Sequence, residues 1–154
     1  MIGYLMDTNH VSALAGGRQS VVAKLTSLPA NTQIRASTIT LGEIEAGHEM
    51  TVTTNQRRRD ECIAFIQANF VPNALPISHS TGYYYAKIMG RIWKRYPPAN
   101  GSISPDRHLA SHGVNVNDVW IVASALEHGL TFLTNDKMSC IRLDTPEVTW
   151  DNWY

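Results

Sequence analysis

The apolar run Tyr4-Leu5-Met6 stops abruptly on Asp7, which predicts a short buried strand over residues 4–6. Asn9-His10-Val11-Ser12 then offers cap residues for a helix reaching about residue 15, and Gly16-Gly17 breaks it. Val21, Val22, Leu25 and Leu28 share one helical face over residues 20–28, which Pro29 stops. Residues 33–39 are rich in β-branched side chains and read as a second strand. Thr40-x-x-Glu43 has the form of a capping box and opens a third helix, with Gly47 one turn on. A further helix over residues 57–69 carries Cys62, Ile63, Phe65 and Ile66 as its apolar positions. Pro72 and Pro76 punctuate the next connection, which has room for a short strand at 75–77.

The second half continues the alternation. Residues 81–96 read as a helix ended by Pro97-Pro98, and residues 97–105 are the one loop-like run of any length. A short helix is expected over 106–111, ended by Gly113. The most apolar helix covers 119–127, with Asn117 as its cap and Gly129 where a C-terminal glycine belongs. Residues 131–134 form a strand, and the segment 148–154, with Trp150 and Trp153, makes an edge strand or packs over the core. Strands alternating with helices predict an α/β fold with a mainly parallel sheet, in one domain over residues 1–154.

Composition narrows the setting. With 154 residues, 44% of them hydrophobic and 17% charged, the chain is long enough to bury a core and too apolar for a disordered one. No apolar run approaches a membrane span, and residues 1–6 lack the length and the basic region of a signal peptide. Cys62 and Cys140 make no disulfide framework, so a reducing cytoplasm is the expected location. The balance of 13 basic and 13 acidic residues argues against a nucleic-acid partner only until the acids are placed: acids gathered on a cation leave the remaining surface net basic.

In parallel α/β sheets, ligands bind beyond the carboxyl ends of the strands. Asp7 ends the first strand, Glu43 is expected in the first turn of the helix after the second, Asp118 opens its helix, and Asp136 follows the strand 131–134. Four bare carboxylates sharing a rim repel one another, and a hard divalent cation relieves them. An all-oxygen set without His or Cys favours Mg²⁺ or Mn²⁺ over Zn²⁺. Such a site suits phosphodiester hydrolysis.

These pieces, in order, resemble a known family. Asp7-Thr8-Asn9-x-x-Ser12, Thr40-x-x-Glu43-x-x-x-Gly47, Asn117-Asp118-x-x-Ile121-x-Ala123-x-Ala125, Gly129 and Leu133-Thr134-x-Asp136 are similar to the motifs of VapC-type PIN-domain ribonucleases, the toxins of type II toxin–antitoxin pairs. The resemblance implies that Asp7, Glu43, Asp118 and Asp136 bind Mg²⁺ and carry the hydrolysis of RNA, with Thr8, Asn9, Ser12 and Thr134 as supporting polar groups. It also implies a parallel sheet of order 3-2-1-4-5, a homodimer and a cognate antitoxin. The chain departs from the pattern in a longer stretch over 90–106, and in lacking an aromatic in Lys137-Met138-Ser139-Cys140.

Plainer readings stand beside these. Asp7 can cap a helix, Glu43 can simply close the capping box on Thr40, Asp118 can be a first-turn acid favoured by the helix dipole, and Asp144 or Asp151 can replace Asp136. Lys87, Arg91, Lys94 and Arg95, with Tyr84, form a stripe that either tracks phosphates or faces water, and Arg57-Arg58-Arg59 has the same two readings. His108 and His112 have metal-ligand spacing without a third ligand and read as surface histidines, while Trp120 and Tyr83–Tyr85 read as core or dimer interface. The rival functions are an RNA-processing nuclease without an antitoxin and a catalytically inactive RNA- or partner-binding module.

Overall fold

The computed structural model describes residues 3–51, 55–99 and 104–154. Four strands form one parallel sheet: β1 (Gly3–Met6), β2 (Gln33–Arg35), β3 (Thr131–Leu133) and β4 (Trp150–Asp151), in the order β2-β1-β3-β4. β1 and β3 run in register through Tyr4–Thr131, Leu5–Phe132 and Met6–Leu133, and the Asp7 amide extends the ladder to the Leu133 carbonyl at 3.0 Å.

The helices are α1 (Thr8–Ala15), α2 (Gln19–Thr26), α3 (Thr38–Met50), α4 (Gln56–Asn69), α5 (His79–Arg95), α6 (Pro105–Ser111), α7 (Val116–His128) and α8 (Ser139–Leu143). They build two cores on the two faces of the sheet. Leu5 and Phe132 pack with Ile88 and Ile92 of α5, Val119 and Val122 of α7 and Ile141 of α8. Met6 and Leu133, next along their strands, point the other way and pack with Val11, Val21, Leu41, Ile66 and Trp153. Alternation along an extended chain sends successive side chains to opposite faces, so both central strands are buried on both sides. This explains why they read as continuous apolar runs rather than as alternating ones. Among the described residues, no helix is long and apolar enough to cross a membrane.

The expected fifth strand is reduced to a single parallel bridge between Leu75 and Ser37, beside β2. Its place corresponds to position 3 of the expected 3-2-1-4-5 order. Pro72 lies in a 3₁₀ turn (Val71–Asn73) just before it, and Pro76 comes directly after it without an amide to donate, so the ladder cannot lengthen in either direction.

Other differences concern caps. Asp7, rather than any of residues 9–12, caps α1 and accepts from the His10 amide at 2.7 Å, which bears out the plainer reading of Asp7 as a cap. The second strand ends at Arg35 because Ser37 caps α3, accepting from the Thr40 amide at 3.0 Å. The Thr40–Glu43 capping box therefore does not form, and Glu43 sits in the second turn. Asn115 caps α7 in place of Asn117. α8 is an addition to the expected elements: it has five residues, no side-chain cap, and begins after Met138 at φ 40°. Of the expected loop 97–105, residues 100–103 lie outside the described residues.

Gly129 closes α7 at φ +61°, in the left-handed region where a Cβ is strained. Gly129→Ala is expected to cost about 1 kcal/mol and lower the melting temperature by roughly 3 °C in a thermal scan.

Candidate active site

The sheet order places the switch of direction at β1 and β3, and a crevice opens beyond their carboxyl ends, as such topologies provide. Asp7, Thr8, Asn9, Glu43, Asn115, Asp118, Ile121, Asp136 and Met138 line a cleft of about 190 Å³ there. All four expected acids share that cleft, and they come from four separate segments. Asp144 and Asp151, the alternatives to Asp136, are engaged elsewhere: Asp144 is bound by Arg95, and Asp151 accepts from Trp153 Nε1 at 3.0 Å.

Three of the acids have hydrogen-bond partners that hold them in place. Asp7 Oδ1 accepts from the His10 amide at 2.7 Å and lies 3.0 Å from His10 Nδ1. Glu43 accepts from the Thr8 hydroxyl through Oε2 and from Asn117 Nδ2 at 2.8 Å through Oε1. Asn9 Nδ2 donates to Asp136 Oδ2 at 3.1 Å and to Asn135 Oδ1 at 2.9 Å. The buried Thr134 hydroxyl accepts from the Asp136 amide at 3.0 Å and fixes the loop that carries it. Asp118 stands in the first turn of α7, where the helix dipole favours negative charge.

Electrostatics mark Asp118 as the most stressed member. Burial pushes its carboxyl up to about 6, with the charges of Glu43, Asp136 and Asp7 adding in that order. Asp118 thus feels the other three carboxylates across the cleft. Among the described residues, however, no three His, Cys, Asp or Glu side chains converge closely enough to share an ion as they stand. The donor set suits a hard cation in its chemistry, four carboxylates with amide and hydroxyl oxygens beside them, but the chelating distances are not preset.

The remaining expected residues fall elsewhere. Ser12 lies on α1 beside Thr8 but lines a neighbouring groove of about 590 Å³ between α1, α3 and α4. None of Lys87, Arg91, Lys94 and Arg95 lines the acid cleft. Arg91 is held by Glu147 at 2.6 Å and the Asp144 carbonyl at 3.0 Å, and Arg95 grips the buried Asp144 carboxylate at 2.7 Å. These two arginines clasp the chain's C-terminal segment to α5. The Lys87 ammonium sits 4.4 Å from the Tyr83 ring. Arg57 pairs with Glu61 one turn on at 3.0 Å, and Arg59 donates to the Gly47 carbonyl. His108 is not a surface residue: it is buried, its Nε2 lies against the Tyr96 carbonyl, and its ring meets Trp93 edge-on. Tyr85 stacks on Trp120 at 3.8 Å, while Tyr83 is exposed.

Sequence reasoning missed Asn117 as a partner of Glu43, Asn135 as a partner of Asn9, and His10 altogether. For Asn117 the signal was present, since an Asn beside a helix start either caps or donates across the cleft, and Asn115 two residues earlier was the alternative cap.

No family model matches the chain, and no curated relative does. Solved structures do. VapBC2 from Rickettsia felis, bound to a DNA fragment from its promoter, matches with a TM-score of 0.74 at 18% identity, over 99% of this chain and 100% of the matched one. VapBC-1 from nontypeable Haemophilus influenzae gives 0.71 at 20% identity over 99% and 98%. VapBC-5 from Mycobacterium tuberculosis, a member of the VapBC family of toxin–antitoxin systems, gives 0.63 at 19% over 99% of each chain. At these identities the likeness is one of fold: the chain shares the α/β architecture, a parallel sheet flanked by helices, of these solved structures.

The pressure on Asp118 has a measurable sign. Its carboxyl rises from 3.8 to about 6 on folding, so in cation-free protein the folded state keeps a proton that the unfolded chain loses. The associated stability, on the order of 2–3 kcal/mol, is present below about pH 4 and lost as pH rises through about 6. In a chelator, Asp118→Asn is expected to raise the melting temperature at pH 7.5 by roughly 5 °C and leave it nearly unchanged at pH 4. Equal shifts at both pH values would remove the electrostatic reading.

Proposed function

We propose that this chain is a divalent-cation-dependent endoribonuclease that acts as the toxin of a toxin–antitoxin pair. The observation that carries the chemistry is the convergence of Asp7, Glu43, Asp118 and Asp136 on one cleft, with Asp118 pushed to about 6 by burial and by the other three. Such a cluster is relieved by a cation, and its oxygen donors suit Mg²⁺, with Mn²⁺ as a substitute. The biological role draws on the full-length likeness to chains from VapBC complexes, one of which belongs to a family of toxin–antitoxin systems.

Asp7 and Asp118 would be the central ligands, with Glu43 and Asp136 completing the charge. A bound Mg²⁺ supplies polarisation of the scissile phosphoryl group and acidification of the attacking water. The chain's own residues hold that arrangement. Thr8 and Asn117 fix the two oxygens of Glu43, Asn9 ties Asp136 to α1, and Thr134 fixes the turn that presents it. A carboxylate of the cluster would take the proton of the attacking water as its oxygen bonds to phosphorus, in line with the P–O bond that breaks, and the leaving oxygen would take up a proton from solvent. The substrate is RNA, the partner an antitoxin, and a homodimer is the expected assembly.

One observation favours a second reading, a binding module without catalysis: among the described residues the acids do not stand at shared-ion distances. A single experiment separates the two. Asp7→Asn keeps Oδ1, the one acceptor that both caps α1 and faces His10 Nδ1, so the fold is retained. Wild type is expected to cleave single-stranded RNA in Mg²⁺ and stop in a chelator, and Asp7→Asn and Asp118→Asn each to lose roughly 100-fold or more. Cleavage by Asp7→Asn at the wild-type rate overturns the assignment, and wild type without cleavage in Mg²⁺ or Mn²⁺ favours the binding module.

A further inference from the structure

His10 occupies the first turn of α1 and is fully buried, yet both of its ring nitrogens are in use. Nδ1 lies 3.0 Å from Asp7 Oδ1. Nε2 accepts from the backbone amide of Trp153 at 3.2 Å. A backbone N–H only donates, so Nε2 must present its lone pair, and the ring proton must sit on Nδ1. His10 therefore donates to Asp7, and the amide of a residue next to the chain's last one dictates that it does.

The segment that sets this tautomer is itself pinned. Trp153 is 4% exposed and meets Tyr4 of β1 edge-on at 5.1 Å. Tyr154 presents its ring to His10 at 4.9 Å, donates its hydroxyl to the Asn9 carbonyl at 2.8 Å, and lies under the Arg18 guanidinium at 4.0 Å. The His10 ring thus has one position and one tautomer. Both bonds to Asp7 fall on Oδ1, and among the described residues no hydrogen bond is made to Oδ2. That division leaves one oxygen anchored and the other for a ligand.

We propose that His10 is a positioning residue of the acid cleft: held as the Nδ1–H tautomer by the Trp153 amide, it fixes Asp7 through Oδ1 and leaves Oδ2 for a cation. The inference rests on the cation-dependent reading of the site. Partners of this kind orient a ligating side chain, and their loss typically weakens metal affinity about 10–100-fold. Trp153, at a separation of 143 residues from His10, is then part of the cleft's construction.

Two measurements on the full chain test this. In cation-free protein, ¹⁵N NMR of the imidazole nitrogens is expected to show His10 Nδ1 protonated and Nε2 bare; the opposite tautomer overturns the inference without any variant. Mn²⁺ titration by calorimetry then compares wild type, His10→Leu and His10→Asn, after circular dichroism has shown which variants fold. Leu fills the buried space better but has no donor, whereas Asn packs worse and keeps an N–H where Nδ1 stood. Positioning requires Leu to weaken Mn²⁺ binding about 10–100-fold and Asn to recover most of it. If Leu binds like wild type, or better than Asn, His10 only fills space and the inference fails. A wild type that binds no Mn²⁺ overturns the cation reading itself, a different result from a wild type that binds and a His10→Leu that binds equally.

Discussion

The structure depends on one electrostatic conflict: four carboxylates drawn to one rim of a sheet repel each other, and burial makes the repulsion expensive for Asp118 above all. The fold contains that conflict with dipoles rather than with cations. Asp7 faces an amide and an imidazole N–H, Glu43 a hydroxyl and a side-chain amide, Asp136 a side-chain amide. Among the described residues, no Lys or Arg lines the cleft. A salt bridge there would neutralise an acid and take it away from any ligand; a neutral donor fixes it and leaves its charge in place. Arg91 and Arg95 are engaged elsewhere, on Glu147 and Asp144, where they tie the C-terminal segment to α5.

The backbone makes the gathering of acids possible. β1 and β3 are buried on both faces, so the two cores grip them from either side, and the residues after each strand are placed with little freedom. Asp7 comes directly after β1, still bonded to the ladder, and begins α1 in the same residue. Its role as helix cap and its place in the cleft do not compete, because the capping bond and the imidazole bond use the same oxygen.

The α/β alternation was legible because buried parallel strands are short, continuous apolar runs between helical periodicities. The acids were legible because each stands at a fixed offset from a strand end or helix start. The caps were not. Ser37 and Asn115 took the places expected of Thr40 and Asn117, and Asp7, for which capping was the plainer reading, caps α1 ahead of residues 9–12, since several Asx, Ser and Thr residues crowd each helix start and local sequence does not rank them. Those shifts changed the meaning of the site: once Ser37 caps α3, Glu43 loses its capping role, and once Asn115 caps α7, Asn117 is left to bind Glu43. The ion pairs of Arg91 and Arg95 in the α5 stripe were not legible because their carboxylate partners, Glu147 and Asp144, lie about fifty residues away in sequence. His10 was invisible for the same reason: its second partner is Trp153, at a separation of 143 residues.

Whether the acid cleft holds a divalent cation is decided by crystals of the protein soaked in Mn²⁺ and measured at the manganese edge. A cation site requires an anomalous peak between the Asp7 and Asp118 carboxylates, with Glu43 and Asp136 oxygens turned toward it, at oxygen distances of about 2.0–2.2 Å, as a hard divalent ion demands. A map with no peak in the cleft at saturating Mn²⁺, or with its only peak elsewhere on the chain, would contradict it.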